Sequence, residues 1–396
     1  MKKLICLVIT VLMLFTCFYT GVSAAPEDTT APQPVTVSKD GLIDYDSYLS
    51  ECKDFADAED EIVILGDAYV SQNGAVLEKT ETDAYKNAVK WVNGEGSVTY
   101  RLNVKSAGLY SLRMFYEAID GRNNAIALGI KIDGKYLFDG IDSVELPRVW
   151  KDGGAIRQDG VGNQFTAEQV EEIMYTDRYV TDSSGLVTEP YVFALAEGEH
   201  TVEIIALEEA FVLAKMVFCK PIRYASYSDV SAGYGSYNKY TGEKVIMIEG
   251  ESAKYKSNNS LIAKSDSSDP SVSPSSPVNS LINYIGSTNW SSPGDRITWE
   301  FNVEEAGLYK LGIKFRQNGV LNGNSYRKIF IDGVVPFSEV ADVSFAYDSN
   351  WQYEELCLEG KDGKKGEEMH DAFIEGYYNS REESAADDSS NNTNND

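Results

Sequence analysis

The sequence contains an internal repeat, and this repeat constrains the fold more than any other feature. When residues 98–138 are aligned with residues 297–337 at a fixed offset of 199 positions, 14 of the 41 pairs are identical without a gap. The longest shared motifs are Ala-Gly-Leu-Tyr at 107–110 and 306–309 and Ile-Asp-Gly at 132–134 and 331–333. Two copies of one structural module are the simplest explanation for this match.

Each copy has the residue pattern of antiparallel β-strands. Apolar side chains alternate with other residues over 98–104 and again over 110–116, and the second copy repeats this alternation 199 positions later. A period of two places every second side chain on one face of a strand. The Asp-Gly pair that ends each repeat is typical of a tight hairpin turn, which joins neighbouring strands. Each copy is therefore predicted to be a stack of hairpins.

Strands that are apolar on one face must bury that face against a second sheet. We therefore predict an all-β chain with two tandem β-sandwich domains of jelly-roll topology, accompanied by short accessory helices. The first module is expected over residues 58–222 and the second over 243–358, with a Tyr-, Ser- and Gly-rich linker at 223–242. Residues 25–57 form a lead-in to the first module.

Two short helices are predicted outside the strands. One is expected over residues 46–58, where Leu49, Cys52 and Phe55 share a face. The other is expected over residues 166–174, where Thr166 begins a segment with capping-box spacing that is followed by a one-sided apolar stripe.

The first 24 residues have the pattern of a secretory signal peptide. A basic start is followed by an apolar run and then by the small residues Val22, Ser23 and Ala24. An uncleaved membrane anchor is the alternative, although the run is short for a membrane span. A secreted or extracellular location, in association with the cell surface or free of it, follows from the signal peptide.

After residue 358 the chain is polar, and residues 359–396 are expected to form a solvated, disordered tail. The second module then lacks counterparts of the closing strands of the first. The sequence therefore predicts an incomplete second sandwich. Either the chain is a fragment of a longer protein, or a partner covers the exposed strand edges.

Charge and composition exclude several functional classes. With a formal net charge of −27, a protein that coated nucleic acid would repel its own ligand. Only two histidines are present, in a predicted turn and in the polar tail, so no catalytic triad is expected. The three cysteines that follow the signal peptide are widely separated, which argues against a disulfide framework. We expect no enzymatic activity and no nucleic-acid partner.

Several motifs resemble a known family of modules. They are Gly-Ser-Val-Thr-Tyr-Arg-Leu-Asn-Val at 96–104, the Ile-Asp-Gly hairpins, the Trp290–Val303 stretch and Asn350-Trp351-Gln352. They resemble galactose-binding-like carbohydrate-binding modules of types six and thirty-five. The tandem order resembles the N-terminal half of large bacterial extracellular solute-binding proteins that serve sugar ABC importers. The resemblance implies an oligo- or polysaccharide ligand, with the cell envelope or importer components as further partners.

The resemblance also implies sites. A tryptophan just beyond the Ile-Asp-Gly strand stacks on sugar in the resembled modules, and amide-rich loops can read its hydroxyl groups. The candidate ligand-binding residues are Trp150, Arg122, Asn123, Trp351, Asn322 and Trp290. Core packing of the tryptophans and ordinary turn chemistry of the loops are the alternatives.

A structural calcium ion is the one inorganic group that the resemblance implies, and no other cofactor is required. Glu249 and Glu251 fit the carboxylate pair on the first strand of the resembled modules, and Asp67 is the corresponding acid in the first module. Calcium needs six to eight oxygen ligands, so ordinary solvated carboxylates are the alternative.

The sequence thus favours a secreted, non-catalytic carbohydrate-binding protein, accessory to sugar capture by an ABC importer. A structural or adhesion spacer that binds no sugar is the alternative function.

Overall fold

A computed structural model of the protein describes residues 41–236, 245–304, 306–319, 321, 323–359, 365–368 and 372–374. The predicted signal peptide lies outside these ranges. Among the helices that the structure describes, none has the length and hydropathy needed to cross a membrane.

The first half of the described chain is a β-sandwich, as predicted. Its strands are β1 (Ile62–Leu65), β2 (Tyr69–Asn73), β3 (Leu77–Thr80), β4 (Ala88–Trp91), β5 (Gly96–Val104), β6 (Gly108–Ala118), β7 (Ile126–Ile132), β8 (Val144–Leu146), β9 (Trp150–Asp152), β10 (Arg157–Gln158), β11 (Gln164–Phe165), β12 (Gln169–Glu171), β13 (Tyr175–Tyr179), β14 (Val192–Leu195), β15 (Gly198–Glu208) and β16 (Phe211–Cys219). A seven-stranded sheet has the order β13-β6-β16-β4-β3, with β1 beside β16 and β14 beside β6. A five-stranded sheet has the order β2-β5-β15-β7-β8.

The core lies between these two sheets, and alternation of side chains along the strands builds it. Val98, Tyr100, Leu102 and Val104 of β5 are buried, while the residues between them are partly or fully exposed. Burial of such side chains is the main stabilising contribution to a sandwich. The predicted hairpin turn at Asp133 adopts the left-handed backbone that an Asp-Gly turn requires, with φ 51°.

The predicted N-terminal helix is present but shorter than expected. Helix α1 spans Tyr45–Glu51, and the Asp44 side chain caps it by accepting a hydrogen bond from the Ser47 amide. Tyr48 packs against Phe138 in the core, and its hydroxyl accepts a hydrogen bond from the Ala194 amide of β14. The helix therefore closes one side of the sandwich.

The second half has shorter strands. They are β17 (Tyr255–Lys256), β18 (Ala263–Lys264), β19 (Tyr284–Ile285), β20 (Ile297–Thr298), β21 (Gly307–Tyr309), β22 (Gly312–Phe315), β23 (Asn324–Arg327), β24 (Val343–Ala346), β25 (Gln352–Glu355), β26 (Cys357–Glu359), β27 (Lys365–Glu368) and β28 (Ala372–Ile374). Five antiparallel pairs form, namely β18–β19, β21–β28, β22–β25, β23–β24 and β26–β27. A small core around Phe337, Val340 and Leu356 lies beneath part of this half. The predicted alternation is kept here, because Leu311 and Ile313 pack toward that core while Gly312 and Lys314 are exposed.

Strands from both halves meet in one four-stranded sheet, in the order β12-β9-β17-β20. Trp150, the first residue of β9, pairs with Glu171 of β12 and with Lys256 of β17. The Lys256 side chain is 1 % exposed, and its ammonium forms an ion pair with Asp152. The two halves are therefore joined by backbone pairing and by a partly buried ion pair.

The structure corrects one expectation about local structure and shows further elements within two other segments. The helix predicted over residues 166–174 is wrong, because β12 pairs there with β9. Within the predicted linker, helix α2 (Tyr227–Ser231) packs Tyr227 against Phe337 of the second half, at 5.0 Å between ring centroids. Within the predicted disordered tail, β27 and β28 pair with β26 and β21. Strand pairing and packing supply contacts that the local sequence pattern does not show.

Candidate functional site

The outward face of the β22–β25 pair carries exposed aromatic and polar side chains beside the predicted site residue Trp351. The register pairs Gly312 with Glu355 and Lys314 with Tyr353. Because side chains at alternate positions share a face, Trp351 lies on the same side as Tyr353 at the start of β25. We call Trp351, Tyr353 and the neighbouring Tyr284 the aromatic platform.

Trp351 is held in place by three neighbours. Its indole Nε1 donates a hydrogen bond to Asp266 Oδ2 at 2.8 Å. Arg316 lies over the ring, with its Cζ 5.0 Å from the centroid, and Tyr284 packs edge-on at 5.7 Å. The ring is therefore oriented by a polar anchor and by two contacts, while part of its surface stays exposed.

Asp266 is the polar anchor of the platform. Burial alone would raise its pKa, but hydrogen bonds from Ser268 and Trp351 and the charge of Arg316 lower the pKa to about 2. Arg316 Nη1 lies 2.7 Å from Asp266 Oδ2. The carboxylate therefore stays ionised at neutral pH and holds Trp351 and Arg316 together.

Tyr353 is 67 % exposed and lies across Gly312 on the neighbouring strand. A Cβ placed on Gly312 would lie 2.7 Å from Tyr353 Cζ, closer than the two atoms can approach. Gly312 therefore gives the ring the space to lie against the backbone of β22. Most of the ring therefore stays accessible to a ligand.

Polar groups border the platform on one side. Lys314 Nζ donates a hydrogen bond to Ser271 Oγ at 2.9 Å. This contact brings the 266–271 segment alongside the strand pair, as do the two bonds to Asp266. Flat apolar faces with hydrogen-bonding groups beside them suit a ligand with C–H faces and hydroxyl groups.

Trp150 does not reach this surface or any other. Its side chain is 4 % exposed, and both backbone edges of β9 are paired at this residue. The expectation that its ring stacks on a ligand is therefore not met in this structure, and the core-packing alternative describes its environment. Trp91 of β4, in contrast to the candidate tryptophans, is fully buried in the core of the first half.

Arg122 and Asn123 lie on an exposed loop at the rim of the first sandwich, apart from Trp150. The Glu209 carboxylate accepts hydrogen bonds from the Arg122 amide at 2.9 and 3.1 Å. The same carboxylate forms a buried ion pair with Arg148 at 2.7 Å. Glu208, which accepts a hydrogen bond from Asn124, and Glu209 therefore hold this loop, while the Arg122 side chain stays 74 % exposed.

Trp290 packs inside the second half. Arg327 lies over its ring with Cζ 4.5 Å from the centroid, and the ring packs on a small cluster with Leu261 and Ile297. Asn322 lies outside the described residues. Trp351 therefore contacts Tyr284 in the aromatic platform, whereas Trp290 packs against Arg327 and the Leu261 cluster.

The predicted calcium ligands are spread over two places. Asp67 pairs with Lys79 at 3.0 Å in the first half. In the second half Glu249 accepts a hydrogen bond from Ser273, and burial raises the pKa of Glu251, whose buried Oε2 atom has no hydrogen-bond partner among the residues that the structure describes. No three acidic, histidine or cysteine side chains among the described residues are grouped so that they could hold a metal. The donors present do not fit a six-oxygen site, and calcium remains a prediction.

Three residues of this site, Tyr353, Asp266 and Arg316, were not among those predicted from the sequence. They come from three segments that only the fold brings together, so no local motif connects them. One sequence signal could have indicated them. Every second residue along a strand lies on one face, which groups Trp351, Tyr353 and Glu355 on one segment and Gly312, Lys314 and Arg316 on the other.

Comparison of the structure with solved proteins finds carbohydrate-binding modules. A family 35 module from Clostridium thermocellum is similar at 15 % identity and a TM-score of 0.27, over 40 % of this chain and 97 % of that one. The C-terminal family 6 module of a laminarinase from Zobellia galactanivorans has 10 % identity and a TM-score of 0.25, over 41 % and 100 %. A module of a Cellvibrio mixtus lichenase, in complex with cellotriose, has 12 % identity and a TM-score of 0.23, over 41 % and 98 %.

No protein-family model matches the sequence, and no curated protein matches it. With TM-scores this low, the sandwich fold of the chain rests on its own strand pairing.

Proposed function

We propose that this is a secreted, non-catalytic carbohydrate-binding protein whose ligand stacks on the aromatic platform. The observation that carries the proposal is the exposed ring of Tyr353, whose hydroxyl end lies over Gly312, two residues along the chain from the anchored Trp351. The sequence resemblance to carbohydrate-binding modules supports the same ligand class. It also supports a finer proposal, that the protein is accessory to sugar capture by an ABC importer.

The chemistry of the platform suits a neutral sugar. The C–H face of a pyranose is apolar and packs on an aromatic ring, while its hydroxyl groups need donors and acceptors at the edge of the ring. Arg316 and Lys314 supply donors beside the two rings, and backbone and hydroxyl oxygens of Ser271 supply acceptors. A chain with a net charge of −27 does not repel an uncharged ligand of this kind.

Glycan-array screening followed by titration calorimetry tests the proposal. Tyr353→Ala is expected to weaken the affinity for the best glycan by about tenfold or more, because a central aromatic contact contributes about 1.4 kcal/mol or more. Tyr326→Ala is the matched control, since Tyr326 is a comparably exposed tyrosine, 54 % accessible, on β23 outside the platform. Its affinity should match that of the unaltered protein.

The alternative function, a structural or adhesion spacer, predicts a different result. The folded protein would then bind no plant, host or bacterial glycan on the array. Binding that survives both Tyr353→Ala and Trp351→Ala would instead place the sugar elsewhere on the molecule, and our assignment of the site would be incorrect.

A further inference from the structure

A cleft of about 420 Å³ lies where the first half of the described chain meets the second. Helix α1, the loop that precedes β14 and the segment that follows β16 line the cleft, and Ser338 of the second half completes the lining. Sites for small molecules usually have volumes of roughly 300–1,000 Å³, so the cleft is large enough for one. It shares no lining residue with the aromatic platform.

Hydrogen bonds hold the walls of the cleft in place. The Asp182 carboxylate accepts hydrogen bonds from the Leu186 and Val187 amides at 2.7 and 3.0 Å, which fixes the loop before β14. The Ser338 amide donates to the Ala225 carbonyl at 2.8 Å, which ties the second half to the segment after β16. Because the walls are already ordered, a ligand loses little affinity to the ordering of the site.

Six of the eleven lining residues are apolar or aromatic, which suits an organic ligand better than a bare ion. Leu186 is the most accessible of them, at 87 % exposure. The other five are Tyr45, Leu49, Val187, Pro190 and Tyr224. A ligand that covers these side chains with hydrocarbon removes apolar surface from water, and this burial favours binding.

The charged residues of the lining are Asp46, Glu189 and Arg223. Arg223 is already paired, because its Nε and Nη2 lie 3.1 and 2.9 Å from the two carboxylate oxygens of Asp57, which is outside the lining. Asp46 and Glu189 are exposed, and neither carboxylate forms an ion pair within the part of the chain that the structure describes. A ligand in the cleft therefore meets an excess of negative charge.

Lys328 of the second half does not supply the missing positive charge. Its ammonium donates a hydrogen bond to the Thr188 carbonyl and lies 5.6 Å from the centroid of the Tyr224 ring. It makes no ion pair with Glu189, and it belongs to the wall behind Thr188 and Tyr224. The two carboxylates of the lining thus stay available to a ligand.

We propose that this cleft binds a small organic cation, whose ammonium or guanidinium group pairs with Asp46 and Glu189 while its apolar body covers Leu186 and Tyr224. Hydrogen bonds between a cationic donor and a carboxylate are stronger than neutral ones. The formal net charge of −27 also attracts a cation toward the protein. The site is separate from the aromatic platform and does not depend on carbohydrate binding there.

Titration calorimetry of the full chain tests the proposal with three probes, 2-phenylethylammonium, phenyltrimethylammonium and benzylguanidinium. At least one probe should bind saturably below about 10 mM. The neutral 2-phenylethanol has the body of the first probe without its charge, and it should bind about tenfold more weakly than the best cation, or weaker still. Because the probe binds the folded chain, the thermal midpoint should rise with its concentration.

Glu189→Gln and Asp46→Asn each remove one carboxylate and keep the shape of the side chain. Each should weaken binding of the best cation about threefold, and the double variant about tenfold. Glu78→Gln is the matched control, because Glu78 is an exposed acid on β3 outside the lining, and it should leave binding unchanged, as should Tyr353→Ala.

If the double variant fails to fold, Leu186→Ser carries the test, since this exposed side chain contributes to the apolar lining and its loss should weaken binding about threefold. The proposal is overturned if no probe binds saturably, or if 2-phenylethanol binds as tightly as the best cation. It is also overturned if the folded variants of the lining bind that cation as tightly as the unaltered protein.

Discussion

At the scale of single residues, Asp133 illustrates how one side chain in a turn can serve several partners. Its carboxylate accepts a hydrogen bond from the Thr201 amide at 2.8 Å and lies 2.7 Å from His200 Nδ1. Burial opposes ionisation of both groups, yet these contacts prevail. They lower the pKa of Asp133 and raise the pKa of His200 above its ordinary value.

This pair predicts a small dependence of stability on pH. The raised pKa of His200 means that its contribution is complete below about pH 6.5 and is lost as the pH rises through the folded-state value. The lowered pKa of Asp133 means that its contribution is complete above about pH 4 and is lost in more acidic solution. Because the Asp133 side chain is 52 % exposed, the total should stay below about 1 kcal/mol.

The measurement is the free energy of unfolding in urea at pH 5.5 and at pH 8.5. The difference between the two values should be smaller in His200→Gln than in the unaltered protein by up to about 1 kcal/mol. An equal difference in both proteins would mean that other groups account for the pH dependence.

At the scale of secondary-structure elements, the β22–β25 pair depends on a residue without a side chain. Gly312→Ala should displace the Tyr353 ring, because the new methyl group would occupy the space that the ring now fills. Strand pairing should survive, since alanine is tolerated in a strand and the position is exposed. We therefore expect weaker glycan binding with a change in unfolding free energy below about 1 kcal/mol.

Titration with the best glycan and urea unfolding of Gly312→Ala check this expectation. Gly319→Ala is a suitable control, because a Cβ there meets no atom within 4 Å. Unchanged affinity in Gly312→Ala would show that the position of the Tyr353 ring over Gly312 does not matter for the ligand.

The same elements show what the sequence could and could not predict. Strands β5 and β6 were predictable because their alternation is local and is matched by burial of every second residue on β5. The segment 166–174 was not, because its capping-box spacing indicates a helix while pairing of Gln169 with Asp152 on β9 favours a strand. Long-range hydrogen bonds prevailed there over local propensity.

The candidate site likewise contains residues that the sequence could predict and residues that it could not. Trp351 could be named from its place after the Ile-Asp-Gly strand. Asp266, which anchors its ring, lies 85 residues earlier in the chain, and only the fold brings the two together. The burial of Trp150 could not be predicted, because the sequence around a tryptophan beside a loop is the same whether its side chain packs into the core or faces solvent.

At the scale of the whole molecule, Trp150 marks the place where the two halves join. It is almost fully buried within the sheet that strands β9 and β17 share. Trp150→Ala should therefore lower the free energy of unfolding by about 3–5 kcal/mol, the usual cost of removing a large buried aromatic side chain. It should leave the affinity of the folded protein for glycan unchanged, because the aromatic platform lies elsewhere.

Urea unfolding and calorimetry on Trp150→Ala separate these effects. Phe165→Ala is the matched control, since Phe165 on β11 is an aromatic residue that is 50 % exposed, and the substitution should change the free energy of unfolding by less than about 0.5 kcal/mol. If Trp150→Ala were as stable as the unaltered protein but no longer bound glycan, Trp150 would be a ligand contact after all.

Trp351, which directly precedes β25, and Tyr353 on β25 stand two positions apart, and this spacing has a consequence for selectivity. Residues separated in this way lie roughly 7 Å apart along a strand, so their rings form two consecutive stacking positions in a row. A free monosaccharide can cover only one of them. A polymer with consecutive units can cover both, so the surface should discriminate by chain length and retain polysaccharide in the presence of abundant monomer.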